Sequence, residues 1–429
     1  MATIRPFRAF LYSDRYRTDL EELIAPPYDV ITPEEADRLR RHPHNITHLT
    51  LPTERDGVDR YSVARQTLDE WIDQHVLQPE PHPALYLYEQ EFSDPRTGAA
   101  TVRRGFITRL QLVEFGPGGV LPHERTLSKH REDRYRLRSS TRADLEPIFG
   151  MYPDSDIVDV LASAAATEPL ISVTDRSGVH HRLWDVVEKD TISRAVDDLA
   201  GREVFIVDGH HRYITALEHS RKEGFADDHP LASIMIFLCS MGNPGLVILP
   251  THRIVHSIDP RRISLLLERL AEWFMVEEFN SPESAFDTLR QKEAGVWYAL
   301  LTGDRNLVVQ PRESVIETIA ANHPPSSPVA GLDVTILHEY LFEQLLDISN
   351  EEQELGSNLR YSRNDSEAIA AVADDDVQLV VGMRPPSVSD VEYVGGAGEV
   401  MPQKSTYFFP KLASGLLLNV DEDRTGAAK

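Results

Sequence analysis

The chain has 429 residues, 41% hydrophobic and 26% charged, with a formal net charge of −25. That size and balance point to a globular protein of two or three lobes with a sizeable core. The acid excess speaks against a broad nucleic-acid-binding surface, which needs clustered Lys and Arg, and the single Cys239 excludes an intramolecular disulfide or a multi-cysteine metal cage. No run approaches 18 apolar residues and the first residues lack the apolar core of a signal peptide, so neither a membrane span nor export is expected. One cysteine also fits a reducing cytoplasm, the expected location.

The elements follow in chain order. Ala25-Pro26-Pro27-Tyr28-Asp29-Val30 is rigid and extended, because each Pro fixes its own φ and restrains its predecessor. Thr32-Pro33-Glu34-Glu35 reads as an N-cap, a first-position Pro and an acidic first turn, opening a helix that runs to about Arg40. A second amphipathic helix is predicted over 62–74. Residues 85–92 alternate like a strand, with a hairpin partner at 102–112 across Pro95-Arg96-Thr97-Gly98. A basic stretch runs from Arg125 to Arg142; it is either a solvated helix face or a collar for polyphosphate.

Residues 170–184 read as two strands turning at Asp175-Arg176-Ser177-Gly178, and 204–207, 231–238 and 246–249 as further strands. Helices are predicted over 262–274, 281–292, 332–346 and 365–374. A hairpin is predicted at 296–301 with 306–310, a strand at 377–381, and a last loop at 398–412 with a frayed polar tail from Asp421. Alternating helices and strands give a mixed α/β class. The expected organisation is an N-terminal α+β region (1–110), a core (111–255), an inserted α+β subdomain (256–345) and a C-terminal lobe (346–429).

Three segments concentrate reactive groups. The most informative is Val207-Asp208-Gly209-His210-His211-Arg212, between the apolar run Val204-Phe205-Ile206 and the helical stretch 213–222. A strand that turns tightly into a helix presents backbone N–H groups and the positive end of a dipole to an anion, usually phosphate. The others are Pro122-His123-Glu124-Arg125-Thr126 and Pro402-Gln403-Lys404-Ser405-Thr406. A carboxylate, a His pair with Arg and a Lys-Ser-Thr turn suit phosphoryl transfer, which needs positioning, positive charge on the phosphates and a base for the attacking hydroxyl.

Other chemistries fit less well. Leu127 stands where the second His of H-E-x-x-H belongs, and neither a G-x-x-x-x-G-K-[ST] loop nor a G-x-S-x-G elbow is present. Adjacent His210 and His211 diverge at a helix start, which disfavours a metal pair. Cys239 sits in an apolar run and reads as a core thiol. Thr251-His252-Arg253 follows a strand and either reaches the same pocket or is structural.

The order of these segments resembles the free serine kinases, members of the partition-protein nuclease-like and sulfiredoxin-like superfamily. Asp208 to Arg212 is similar to their D-G-H-H-R signature, Pro122-His123-Glu124 to the P-H-E element with the catalytic glutamate, and Pro402 to Thr406 to the S-P-K-T-T loop. The resemblance covers about a third of the chain. The whole chain also resembles a widespread prokaryotic family of unknown function, marked by the segment at 25–30, His123 to Thr126, Asp208 to Arg212 and Leu332-Asp333-Val334.

The resemblance implies a partition-protein/sulfiredoxin-like phosphate-binding core and a cytoplasmic kinase that phosphorylates free L-serine, or a similar small hydroxy amino acid, from ADP or ATP with Mg²⁺. Glu124 would be the general base, and Asp208 would orient the nucleophile or help to hold Mg²⁺. Gly209, His210, His211 and Arg212 would grip phosphate. Lys404, Ser405 and Thr406 would bind phosphate or the substrate carboxylate. His123, Arg125, Thr126, His252 and Arg253 are candidates for the substrate pocket. A nucleotide-binding switch without metabolite turnover and a phosphohydrolase remain open beside it.

Overall fold

The computed structural model describes residues 2–124 and 131–422; the expectations that fall on Arg125, Thr126 and Lys129 lie outside them. The chain is a mixed α/β protein of two compact units. Among the described residues the first holds 2–122, 131–247 and 410–422, and the second holds 123–124 and 248–409.

The first unit is built on one mixed sheet. Its strands are β1 (Ile4–Arg5), β2 (Leu85–Ser93), β3 (Ala100–Gln111), β4 (Val120–Pro122), β5 (Ile148–Tyr152), β6 (Ile171–Thr174), β7 (His180–Val186), β8 (Val204–Asp208) and β9 (Ser233–Ser240). They lie in the order β4-β8-β5-β9-β3-β2-β7-β6, with β1 beside β3. β8 runs parallel to β4 and antiparallel to β5, and β9 runs parallel to β5 and antiparallel to β3. The continuous apolar run of β9 matches its central place, with all but its last residue buried. Cys239 lies within it, and burial pushes the thiol up to about 12, so this is an inert core group.

Helices α1 (Arg60–Asp73), α2 (Arg131–Thr141), α3 (Lys189–Ala200) and α4 (His210–Glu223) belong to the same unit. α1 starts two residues before the predicted 62, because Asp59 caps it and accepts from the Tyr61 amide at 3.1 Å. The described part of the basic stretch is not a plain solvated face, since Arg134 and Arg138 are buried while Arg136 is exposed. Arg138 is buried on Asp144 at 2.8 Å, Arg142 pairs with Asp421 at 2.6 Å, and Arg136 lies over the Tyr61 ring. The Arg142 pair also corrects the expected fray from Asp421, which is buried and hydrogen-bonded to the Arg142 carbonyl.

The second unit carries a six-stranded antiparallel sheet. Its strands are β10 (His252–His256), β11 (Phe274–Phe279), β12 (Tyr298–Leu301), β13 (Asn306–Pro311), β14 (Leu359–Ser362) and β15 (Val377–Gly382). Their order is β11-β13-β12-β15-β10-β14. Helix α5 (Pro260–Trp273) is capped by Asp259, and buries Ile263, Leu266 and Leu270 at helical spacing against this sheet. The stretch predicted as one helix over 332–346 is an α-turn, Asp333–Ile336, that widens into a π-helix over Leu337–Leu345. The wider turn lets Leu337, His338, Tyr340, Leu341 and Phe342 all face inward. The expected loop at 398–412 contains a short strand, Tyr407–Phe409.

Gly105 in β3 is set by close approach. A Cβ there would meet the Leu238 carbonyl oxygen at 2.2 Å and the Phe237 ring at 2.6 Å. We predict that Gly105→Ala lowers stability by about 3 kcal/mol, the range for overpacked cores, as read by chemical unfolding.

Candidate functional site

The D-G-H-H-R turn follows β8, the strand next to the edge strand β4 of the first unit's sheet. β8 pairs with β5 through Ile206, skips a residue, and pairs again at Asp208. This bulge re-aims the strand end, a common device beside functional sites. Gly209 then adopts φ 87°, and α4 starts at the next residue. The sequence placed the helix start at 213; one left-handed residue completes the turn, so helical geometry begins at His210. Gly209 is also sterically required, since a Cβ would meet Ile148 at 2.5 Å. The fourteen-residue helix has no side-chain N-cap bond. The cap is a glycine, which has no side chain to offer, and the first-turn amides of any helix lack acceptors within the helix.

Asp208 is held by two cations. Lys411 donates from Nζ to Oδ1 at 2.7 Å, and Arg212 donates from Nη2 to Oδ2 at 3.2 Å. Burial alone would raise this carboxyl, but Lys411, Arg212 and then His210 hold it down to about 2. Lys411 is itself placed by backbone contacts. Gln90 donates to the Lys411 carbonyl at 3.0 Å, and Arg103 donates to the Pro410 carbonyl. Arg103 is fully buried over the rings of Phe149 and Phe237, and its desolvation lowers it to about 10.

Arg212 also donates to the Pro147 carbonyl at 2.8 Å and lies 4.0 Å from Glu146. Glu146 accepts from the Tyr28 amide at 3.1 Å and from the Ser414 hydroxyl at 2.7 Å. The Tyr28 ring carries the Arg134 guanidinium at 4.1 Å. Burial raises the Tyr28 hydroxyl to about 12, against the pull of Arg134 and Arg212. The rigid 25–30 segment thus supports the D-G-H-H-R arginine. Sequence reasoning did not assign Lys411, Glu146 or Tyr28 to the site; the two prolines before Tyr28 were the available signal.

The second unit brings together the other two motifs. Glu124 bridges to Met401, and the Lys404 amide donates to Glu124 Oε1 at 2.8 Å. Lys404 reaches that position with φ 57°, unusual for a residue with a side chain. Its side chain is exposed and makes no ion pair among the described residues. His123 is buried, shares a 2.7 Å hydrogen bond between Nε2 and Thr406 Oγ1, and lies 3.7 Å from Glu124 Oε2. Ser405 donates to the Pro402 carbonyl at 2.5 Å, so its hydroxyl shapes the turn.

Of the adjacent pair on β10, only Arg253 joins this group. It is buried, donates from Nη2 to the Lys404 carbonyl at 3.1 Å, and is lowered to about 10 by desolvation, with Tyr361 and Glu124 opposing. His252 accepts the Met383 amide at Nδ1, so its Nε2 carries the proton and donates to Asp365 at 2.9 Å. Successive strand residues face opposite ways, which gives His252 a structural place. Arg125 and Thr126, the remaining pocket candidates, lie outside the described residues.

No group of three His, Cys, Asp or Glu among the described residues could hold a metal ion. Asp208, the expected Mg²⁺ ligand, has Lys411 on one oxygen and Arg212 on the other. Its donor set does not fit a protein-held metal without displacing both cations.

A family model described as a protein of unknown function, DUF1015, matches residues 4–335. The chain belongs to the DUF1015 family. No curated protein matches it. Among solved structures it is similar to a conserved hypothetical protein from Pyrococcus furiosus, at 14% identity over 68% of this chain and 88% of that one, TM-score 0.34. It is similar to a free serine kinase in complex with AMP, at 14% identity over 70% and 86%, TM-score 0.34. SbnI with a C-terminal truncation, from Staphylococcus aureus, matches at 10% identity over 69% and 82%, TM-score 0.33. Likenesses this distant carry no argument about the present chain. Among the described residues no helix is long and apolar enough to cross a membrane.

Two outcomes follow. Gly209→Ala should cost about 1–3 kcal/mol, from the positive φ and the Ile148 contact, in thermal unfolding. The Asp208 carboxyl is lowered from 3.8 to about 2, so its contribution is present above about pH 4 and lost on acidification towards pH 2. Lys411→Met should lower stability at pH 7 by about 2 kcal/mol and shrink that acid-linked loss. Denaturant unfolding across pH 2–7 checks both.

Proposed function

We propose that this chain is a phosphotransferase that phosphorylates the hydroxyl of free L-serine, or a similar small hydroxy amino acid, with ADP or ATP as donor. The observation that carries the reading is the turn at Asp208 and Gly209. A bulged strand end and a left-handed glycine lead straight into a fourteen-residue helix at the D-G-H-H-R motif, a geometry that suits an anion at the helix start. Its partner observation is Glu124, a half-buried carboxylate placed by the Lys404 amide within the P-H-E element.

In this reading Gly209, His210, His211 and Arg212 receive the phosphates. Asp208, tied to Lys411 and Arg212, keeps the turn in shape and its two cations in place. Glu124 takes the proton from the acceptor hydroxyl, and that oxygen forms the new bond to phosphorus. The bond from phosphorus to the bridging oxygen breaks, so ATP leaves as ADP, or ADP as AMP. Lys404, with its exposed ammonium, and Thr406 contribute to the anionic groups of donor or acceptor. Mg²⁺ would supply charge neutralisation on the phosphates, and no step here is assigned to a protein-held ion.

Phosphorus NMR of the full chain with Mg²⁺, L-serine and either ADP or ATP tests this. A phosphoserine resonance is expected with at least one donor. Glu124→Gln should reduce its rate by at least a hundredfold while leaving nucleotide affinity within about twofold. Near-normal turnover in that variant would remove Glu124 as base. Nucleotide binding without product would favour a switch, and inorganic phosphate alone a phosphohydrolase.

A further inference from the structure

The second unit contains a cavity of about 120 Å³ that none of the steps above uses. Met401 and Ser405 line one side of it, at the two ends of the loop whose Lys404 amide holds Glu124. Leu332, Asp333 and Val334 line another, the triplet singled out in the sequence with no assigned role. The Asp333 carboxylate is the chemically pointed group. It is three-quarters buried at the start of its helix. Its supports are its own backbone amide and a long 3.4 Å contact to Arg384 Nη2.

Two arginines also line the cavity: Arg253, which donates to the carbonyls of Thr251 and Lys404, and Arg384, which meets Asp333 only at that 3.4 Å. That guanidinium donates to the carbonyls of Lys292, at 2.6 Å, and Gly295, and so serves the backbone first. Asp390, also on the wall, accepts from the amide and hydroxyl of the N-cap Ser387 and adds a second negative charge. Burial, with Asp390 adding to it, pushes the Asp333 carboxyl up to about 6 against the pull of Arg384. A buried carboxylate so placed gains most from a cation that brings its own donors. The volume is ample for several waters and so for a compact molecule.

We infer that this cavity binds a small primary ammonium compound through Asp333, and, resting on the kinase reading above, that this ligand is the acceptor amino acid. Asp333 is then a specificity-determining residue, selecting an amino group over a hydroxyl at that position. Thr251 and Ser405, polar residues, line the same cavity.

Calorimetric titration of the full chain with L-serine, ethanolamine and D-glycerate tests this, because D-glycerate matches serine in size, hydroxyl and carboxylate but lacks the amine, while ethanolamine keeps the amine and hydroxyl without the carboxylate. L-serine and ethanolamine should bind, and D-glycerate at least tenfold more weakly. Asp333→Asn should weaken L-serine at least tenfold and leave ADP and ATP affinity within twofold. Equal binding of glycerate, no binding of either amine, or an unchanged variant would overturn the inference. If the variant does not fold, the three-ligand comparison on the native chain decides alone. The two readings fail separately. Phosphoserine formation with an unaltered KM for serine in Asp333→Asn rejects this pocket and keeps the kinase. Asp333-dependent amine binding without phosphoryl transfer keeps the pocket and rejects the kinase.

Discussion

The first unit depends on one electrostatic arrangement: the Asp208 carboxylate set between Lys411 and Arg212. Desolvating a carboxylate costs several kcal/mol unless cations repay it, so the three side chains stand or fall together. The consequences spread outward. Lys411 must be delivered from the C-terminal segment, which the buried Arg103 and Gln90 hold by the backbone. Arg212 must be braced from behind, which Pro147, Glu146 and the Tyr28 segment do. The D-G-H-H-R turn is therefore held in shape by the charges around Asp208.

The second unit solves a related problem with backbone rather than ion pairs. Glu124 is held by the Lys404 amide, which is presented only because Lys404 accepts a left-handed conformation. Arg253 binds the carbonyl of the same residue from the buried side. A loop gripped at both its amide and its carbonyl holds the Glu124 carboxylate in one place. Arg253 and His252 show how closely neighbouring residues divide labour. The first underpins this loop, while the second locks β10 to Asp365 and Met383.

Much of the architecture follows from short-range rules that a sequence displays. The 85–93 and 100–111 hairpin was visible in alternation and a Gly98 turn, and the Thr32 cap in its Pro and acids, because both are decided within a few residues. The helix start at His210 was misplaced because nothing local distinguishes a left-handed Gly209 from an extended one. The need for glycine there comes from Ile148, sixty residues earlier. The basic stretch misled for the same reason. Its arginines read as surface charge, and their acceptors, Asp144, Asp421 and the Tyr61 ring, lie on other elements.

The sequence by itself determined the mixed α/β class, the acidic and cysteine-poor character, and the three reactive segments, since these depend on composition, periodicity and contiguous motifs. Only the tertiary structure decided that Lys411 partners Asp208, that the 25–30 segment braces Arg212, and that Asp333 faces a cavity beside the Glu124 loop. Those facts are pairings between residues far apart in the chain. A one-dimensional pattern specifies which side chains are present and which face they take, but burial and partner choice are set by how distant elements pack.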